Sequence, residues 1–215
     1  MKNNWMAGVV LLACCLAASG CRSVYYSAWE KMGRQKRDLL QTKVRQVRDD
    51  QKEASQELKD ALTRLQEMYG FQGGELEKRY RALQKDYDQA VAKADTVRTR
   101  IRDMDQVASD LFTEWEKEAQ SISSGALREN SRAQLRETRR RYDQLYAANK
   151  KAEQSMEPVL VKFRDYVLSL KHNLNAQAIG ALQGEASKIQ IDVSRLIEEM
   201  NASIRQAEEF IKTKP

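Results

Sequence analysis

The feature that most constrains this chain is an apolar stripe that keeps one rhythm over most of its length. It runs Leu40, Val44, Val47, Gln51, Ala54, Leu58, Ala61, Leu65, Met68. The steps alternate three and four, which holds one face of an α-helix against a partner. The rhythm returns from Leu76 to Trp115, from Leu135 to Leu170 and from Ile179 to Phe210. No stretch reads convincingly as a strand, which would need a period of two. The fold class predicted is all-α: an elongated antiparallel helical bundle of two long coiled-coil-like hairpins, about four helices in all.

The interruptions divide the stripe. Gly70-Phe71-Gln72-Gly73-Gly74 packs three glycines into a tight reversal, so the first helix should run from about Ser27 to Tyr69. Ser121-Ile122-Ser123-Ser124-Gly125 reads as the second loop, with the third helix starting near Gly125 or capped at Asn130 or Ser131. Lys171 to Ala176 holds the third turn, and the fourth helix should reach about Lys212. Pro158 falls inside the third stripe, yet the rhythm is in phase on both sides of it. The expectation is one kinked helix rather than two. Two hairpins of matched length put Phe71 and His172 at one shared end, away from the N-terminus. The loop at 121–125 and the C-terminus then lie at the other.

Ahead of the first helix stand Lys2, an apolar run from Trp5 to Ala18, then Ser19, Gly20 and Cys21. The apolar run is about 14 residues, short of the roughly 20 that span a bilayer. This pattern resembles a bacterial lipoprotein signal, with Ala18 where leucine is usual three places before the cysteine. The expected organisation is a signal peptide at 1–20 and one elongated helical-bundle domain at 21–215, lipidated at Cys21. Arg22 after the cysteine resembles the outer-membrane default. The expected location is thus the periplasmic face of the outer membrane, with the inner membrane as the alternative. Cys14 and Cys15 fall in the signal, which leaves the mature body no thiol for catalysis or a disulfide.

Several stretches resemble a known family: Tyr26-Ser27-Ala28-Trp29-Glu30-Lys31-Met32-Gly33, Gly73-Gly74-Glu75-Leu76-Glu77, Leu111-Phe112-Thr113-Glu114-Trp115, Met156-Glu157-Pro158-Val159-Leu160, and Leu170-Lys171-His172-Asn173-Leu174-Asn175-Ala176. They span nearly the whole mature chain. The family is an uncharacterised, lipoprotein-like group of bacterial proteins, the domain of unknown function DUF2959. The resemblance implies an exported helical protein and carries over no activity, substrate or site residue.

The residues themselves offer little chemistry. His172 is the only histidine, so no histidine cluster exists to hold zinc. The carboxylates at Glu114, Glu116 and Glu118 sit in a charge-rich helix where a solvated face is the ordinary outcome. No enzyme activity, cofactor or metal is expected. Lys and Arg number 37 against 31 Asp and Glu, a net charge of +6, and losing Lys2 leaves +5. That excess favours anionic partners, and for an exported chain these are envelope components rather than nucleic acid.

The densest basic run is Arg136, Arg139, Arg140 and Arg141, with Arg128 and Arg132 nearby. Arg132, Arg136 and Arg139 or Arg140 share a helix face, a candidate anion-binding patch unless acidic side chains of the second helix neutralise it. The function expected is a non-catalytic, lipid-anchored scaffold or adaptor. It is joined to the membrane through its N-terminal lipid and touches an envelope protein or the cell wall through helix faces and the tips at Phe71 and His172. The alternative is a protein that handles lipid or binds anionic membrane surfaces. The seams could close within one chain or between two, so the sequence leaves the oligomeric state open.

Overall fold

The computed structural model describes residues 36–69, 75–172 and 176–213, with side chains described over 36–68, 75–172 and 187–213. Cys21, Phe71 and the 27–35 stretch of the expected first helix lie outside the described residues. Four helices account for nearly everything described: α1 (Lys36–Tyr69), α2 (Leu76–Ser121), α3 (Gly125–His172) and α4 (Ala176–Lys212). The protein is an all-α helical bundle.

The α2–α3 turn shows how local chemistry ends one helix and starts the next. Ile122 turns extended, at φ −71° and ψ 119°, and its N–H still donates to the Ala119 carbonyl at 3.3 Å. The Ser121 hydroxyl donates to the Glu118 carbonyl at 2.7 Å, satisfying one of the orphan acceptors of the last turn. Ser124 then opens α3. Its carbonyl accepts from the Arg128 N–H at 2.9 Å, and its hydroxyl faces the Leu127 N–H at 3.5 Å. Ser124, rather than Asn130 or Ser131, therefore holds the N-cap position. A Cβ on Gly125 would meet nothing within 4 Å, so this glycine answers to no close packing.

The helices pack as a closed ring: α1 on α2, α2 on α3, α3 on α4, and α4 back on α1. Backbones across the diagonal, α1 with α3 and α2 with α4, do not approach closely among the described residues. Ion pairs fix the directions. Lys36 with Glu114, Lys43 with Asp103, Arg100 with Asp50, and Arg64 with Asp86 step down α1 as they step up α2. Arg132 with Glu116 and Arg98 with Glu157 do the same for α2 and α3. Lys162 with Asp192 and Lys151 with Glu199 do so for α3 and α4. The result is up-down-up-down. Both the α1–α2 and α3–α4 turns lie at one end, and the α2–α3 turn and the end of α4 point to the other.

The predicted stripes line the axis. All the stripe positions named in α1, Leu40 to Met68, are buried, as are those of α3 from Leu135 through Thr138, Tyr142 and Phe163 to Leu170. In α4 the stripe from Ile189 to Phe210 is buried too. Burying each large apolar side chain stabilises the fold by about 1.5–3 kcal/mol, so the stripes carry most of the driving force. α3 runs unbroken through Pro158, as the phase of its stripe predicts. Pro158 and Gln154 are both exposed, so the carbonyl that loses its intrahelical donor is left to solvent. The proline costs stability without burying an unsatisfied group.

Midway along the rod the apolar axis is broken by a polar layer. Gln51 and Asn149 are both fully buried, and the Gln51 amide nitrogen donates to Asn149 Oδ1 at 3.0 Å across the diagonal from α1 to α3. Asn149 Nδ2 donates in turn to the Leu145 carbonyl at 2.8 Å. The α3–α4 ion pairs set Ser203, also fully buried, at the level of Asn149. Gln51 Oε1 and Ser203 Oγ have no hydrogen-bond partner. An unpaired buried acceptor costs about 1–3 kcal/mol, so the layer works against stability.

Two outcomes follow for denaturant titration. Asn149→Leu alone strands the Gln51 amide and should lose about 1–3 kcal/mol. The double variant Gln51→Leu/Asn149→Leu should regain that loss and unfold at or above the wild-type midpoint, and additive losses in the double variant would contradict the account. Pro158→Ala restores a helical N–H at an exposed site and should raise stability by roughly 1–3 kcal/mol; an unchanged or lower midpoint would contradict it.

Candidate functional site: the arginine-rich end of the bundle

The first turns of α3, the last turns of α2 and α4 and the start of α1 meet at the end opposite the two turns. Here the core becomes aromatic. Tyr142 packs edge-on against Phe112 at 5.6 Å and against Phe210 at 6.2 Å, and stacks on Tyr146 at 6.0 Å between ring centroids. Three helices are joined through this one ring. The Tyr142 hydroxyl donates to Asp105 Oδ1 at 3.1 Å. Burial, with the Asp105 charge beside it, pushes the Tyr142 phenol far above its ordinary value of 10.0. Nearer the end, Trp115 Nε1 donates to Ser131 Oγ at 3.0 Å, and the Arg37 guanidinium lies 4.6 Å over the Trp115 ring.

The four arginines singled out by the sequence lie here, but they do not share one face. Arg132 reaches α2, where its Nε and Nη2 donate to Glu116 Oε1 at 3.2 and 3.0 Å. Arg139 also turns toward α2 and lies 5.2 Å over the Phe112 ring. Arg136 points outward and donates to Glu129 Oε1 at 2.8 Å. Arg140 takes the other side, toward α4, and grips Glu137 with two bonds of 2.9 and 2.7 Å. Of these acidic partners only Glu116 comes from α2; Glu129 and Glu137 belong to α3 itself.

The carboxylates register these contacts. Hydrogen bonds hold Glu116 below its usual range, first from Gln120 and then from Arg132. Arg136 does the same for Glu129, and Arg140 for Glu137. Glu129 and Glu137 are exposed and Glu116 is half-buried, so the pairs contribute little to stability.

Between Arg140 and the end of α4 the surface dips into a groove of about 350 Å³. Arg140, Arg141 and Gln144 form its α3 wall, Gln206, Glu209 and Lys212 its α4 wall, with Phe210 between them. The groove lies where α3 passes the last turns of α4, which ends at Lys212, level with the middle of the arginine run. Sequence reasoning placed Arg140 and Arg141 in one basic run but missed Glu209 and Lys212 as their neighbours. Their only signal was the pairing of α3 with α4, which places the C-terminal turns of one beside Tyr142 of the other.

His172, the other described candidate, is the last residue of α3 and is exposed at the turn end. Among the described residues no group of three or more His, Cys, Asp or Glu side chains is placed to hold a metal ion. No helix among them is long and apolar enough to cross a membrane.

A family model described as "Protein of unknown function (DUF2959)" matches residues 25–214. The chain belongs to the DUF2959 family. No curated protein and no solved structure matches it significantly. The family match spans all four helices, so the arginine-rich end and the turn end both fall within the family's domain.

The raised phenol gives a pH test. In the unfolded chain Tyr142 ionises near 10, while in the folded chain it stays protonated. Its contribution is therefore present below pH 10 and is lost as pH rises above it. Stability should fall with pH above about 10 in the native protein, and Tyr142→Phe should flatten that slope. Identical slopes for both proteins in alkaline denaturant titrations would reject the assignment.

Proposed function

We propose that this protein is a non-catalytic strut of the bacterial cell envelope, anchored by lipid at Cys21 and working as a scaffold or adaptor. The observation that carries this reading is the geometry of the rod. α3 alone has 48 residues, about 70 Å of helix at 1.5 Å per residue. Its axis is occupied by fully buried side chains such as Leu145, Met156 and Phe163. A solid rod of this length suits holding two things apart or together.

The signal-like stretch before Cys21 and the composition of the mature chain support placement on the periplasmic face of the outer membrane. Arg22 is the residue that favours this membrane over the inner one. In this arrangement the chain leaves the membrane at the arginine-rich end. The two turns, with His172 exposed at one of them, reach farthest into the periplasm.

A second reading, binding of anionic membrane surfaces, is favoured by the exposed guanidinium groups of Arg136 and Arg140 at the membrane-facing end. Their carboxylate partners weaken it as a function for the whole protein.

The test is site-specific photo-cross-linking in intact cells, with the probe at His172 in one strain and at Leu127, near the opposite end, in another. The strut reading expects one discrete envelope protein, or cell-wall material, captured from His172 and not from Leu127. Capture at neither position, or the same products at both, would count against it. Substituting Cys21 by Ala should also release the protein from the membrane fraction.

A further inference from the structure

We propose that the groove between α3 and the end of α4 is a binding site for a phosphate diester that also carries a primary ammonium, the chemistry of a zwitterionic phosphoethanolamine head group. The charge layout of the groove motivates both halves of that ligand. Its α3 wall presents two guanidinium groups. Arg140 spends two of its five N–H donors on Glu137 and keeps three. Arg141 Nε is buried without a hydrogen-bond partner, and the nearest carboxylate oxygen, Glu137 Oε1, lies 3.8 Å away, beyond hydrogen-bonding reach. Arg141 lines the groove beside Arg140, so a phosphate oxygen entering it meets the guanidinium side chains of both. Guanidinium groups suit phosphate by their planar array of donors.

The α4 wall differs. Glu209 stands on it within the last turn, at the negative end of the helix dipole. The Thr213 N–H and hydroxyl reach the Glu209 carbonyl, at 3.3 and 3.0 Å, and tie that turn down. A carboxylate beside helix-end carbonyls repels a simple anion and favours a cation. A bare phosphate would therefore satisfy one wall and offend the other, whereas a phosphate bonded to an ethanolammonium satisfies both. Gln144 and Gln206 supply neutral amides between the two charges, and Lys212 adds a further cation at the rim. The volume, about 350 Å³, sits at the small end of ligand sites and suits a head group rather than an acyl chain.

The same chemistry is offered by a membrane lipid and by its soluble glycerophosphodiester, and the experiment separates them. Purified full-length protein is titrated with glycerophosphoethanolamine, glycerophosphoglycerol and inorganic phosphate, following amide and side-chain NMR signals of Arg140, Arg141, Gln206 and Thr213. It is then mixed with vesicles of phosphatidylethanolamine. The expected result is saturable shifts at these residues with glycerophosphoethanolamine, and binding at least several-fold weaker for the other two probes.

Arg141→Gln should weaken binding roughly 10-fold. Lys212→Gln, at an exposed position that leaves the fold alone, should weaken it less. Glu209→Gln should erase the preference for the ammonium-bearing probe while sparing affinity for phosphate. Tighter binding to vesicles through the same residues assigns the lipid as ligand, and binding of the soluble diester alone assigns a free one.

The proposal is overturned if no probe shifts these residues, if Arg141→Gln and Lys212→Gln bind as well as the native chain, or if inorganic phosphate binds as tightly and Glu209→Gln changes nothing. It does not depend on the strut reading, which stands or falls on what His172 captures in cells.

Discussion

The hydrogen bond from Gln51 to Asn149 gives the four stripes a unique alignment. Apolar residues at three-four spacing pack nearly as well after a slip of one heptad as before it. If α1 slid seven residues, Val44 or Leu58 would stand beside Asn149 and its buried Oδ1 would lose its donor. The right register therefore wins by the cost of the wrong ones. The same layer leaves Gln51 Oε1 and Ser203 Oγ unpaired, so some stability is given up for that discrimination. The bond also crosses the ring diagonally, where the backbones themselves do not approach. It is thus a check on both hairpins at once, which a bond between neighbouring helices would not be.

The surface repeats the message more weakly. The ion pairs between α1 and α2 keep one offset from Lys36–Glu114 to Arg64–Asp86. Each is worth little where it is exposed, but a seven-residue slip would break several at once and set Arg64 beside Arg79 or Lys93. Attraction and repulsion differ between right and wrong alignments by more than any single pair contributes. At the aromatic end the fixing is by shape instead. Tyr142 touches Phe112 of α2 and Phe210 of α4 and bonds to Asp105, so three helices are located by one side chain.

The helices and their stripes were legible because burial along a long amphipathic helix is set by local periodicity. The helix ends at Tyr69, Ser121 and His172 were legible for a similar reason, since glycine, serine and asparagine interrupt the rhythm there. What periodicity does not carry is the width of the stripe. Leu39, Val107, Leu160 and Val167 are buried although they flank the predicted line, because each helix in a closed ring has two neighbours and needs a broader face than a two-stranded coil. Conversely Leu76, Tyr80 and Tyr87 lie on the line but are only partly buried, toward the turn end of the bundle. The arginine run was legible as density of charge and not as a surface. Which neighbour Arg132 and Arg140 each meet depends on how far α2 and α4 extend beside them, which is information held by other parts of the chain.

That dependence explains why the groove arises where it does. Along most of the rod each helix has a neighbour on both sides, and a charged side chain facing sideways meets a partner from the next helix. Arg98 with Glu157 and Lys162 with Asp192 are examples. Beside the last turns of α4, which ends at Lys212, α3 places two adjacent guanidinium groups, Arg140 and Arg141. The nearest carboxylate left to them is Glu137 on α3 itself, which holds Arg140 closely and Arg141 only at a distance. Pairing within α3 thus turns an ordinary structural ion-pair seam into a place with spare donors. The sequence pattern alone would pass over it, since nothing in the rhythm of α3 changes at that point.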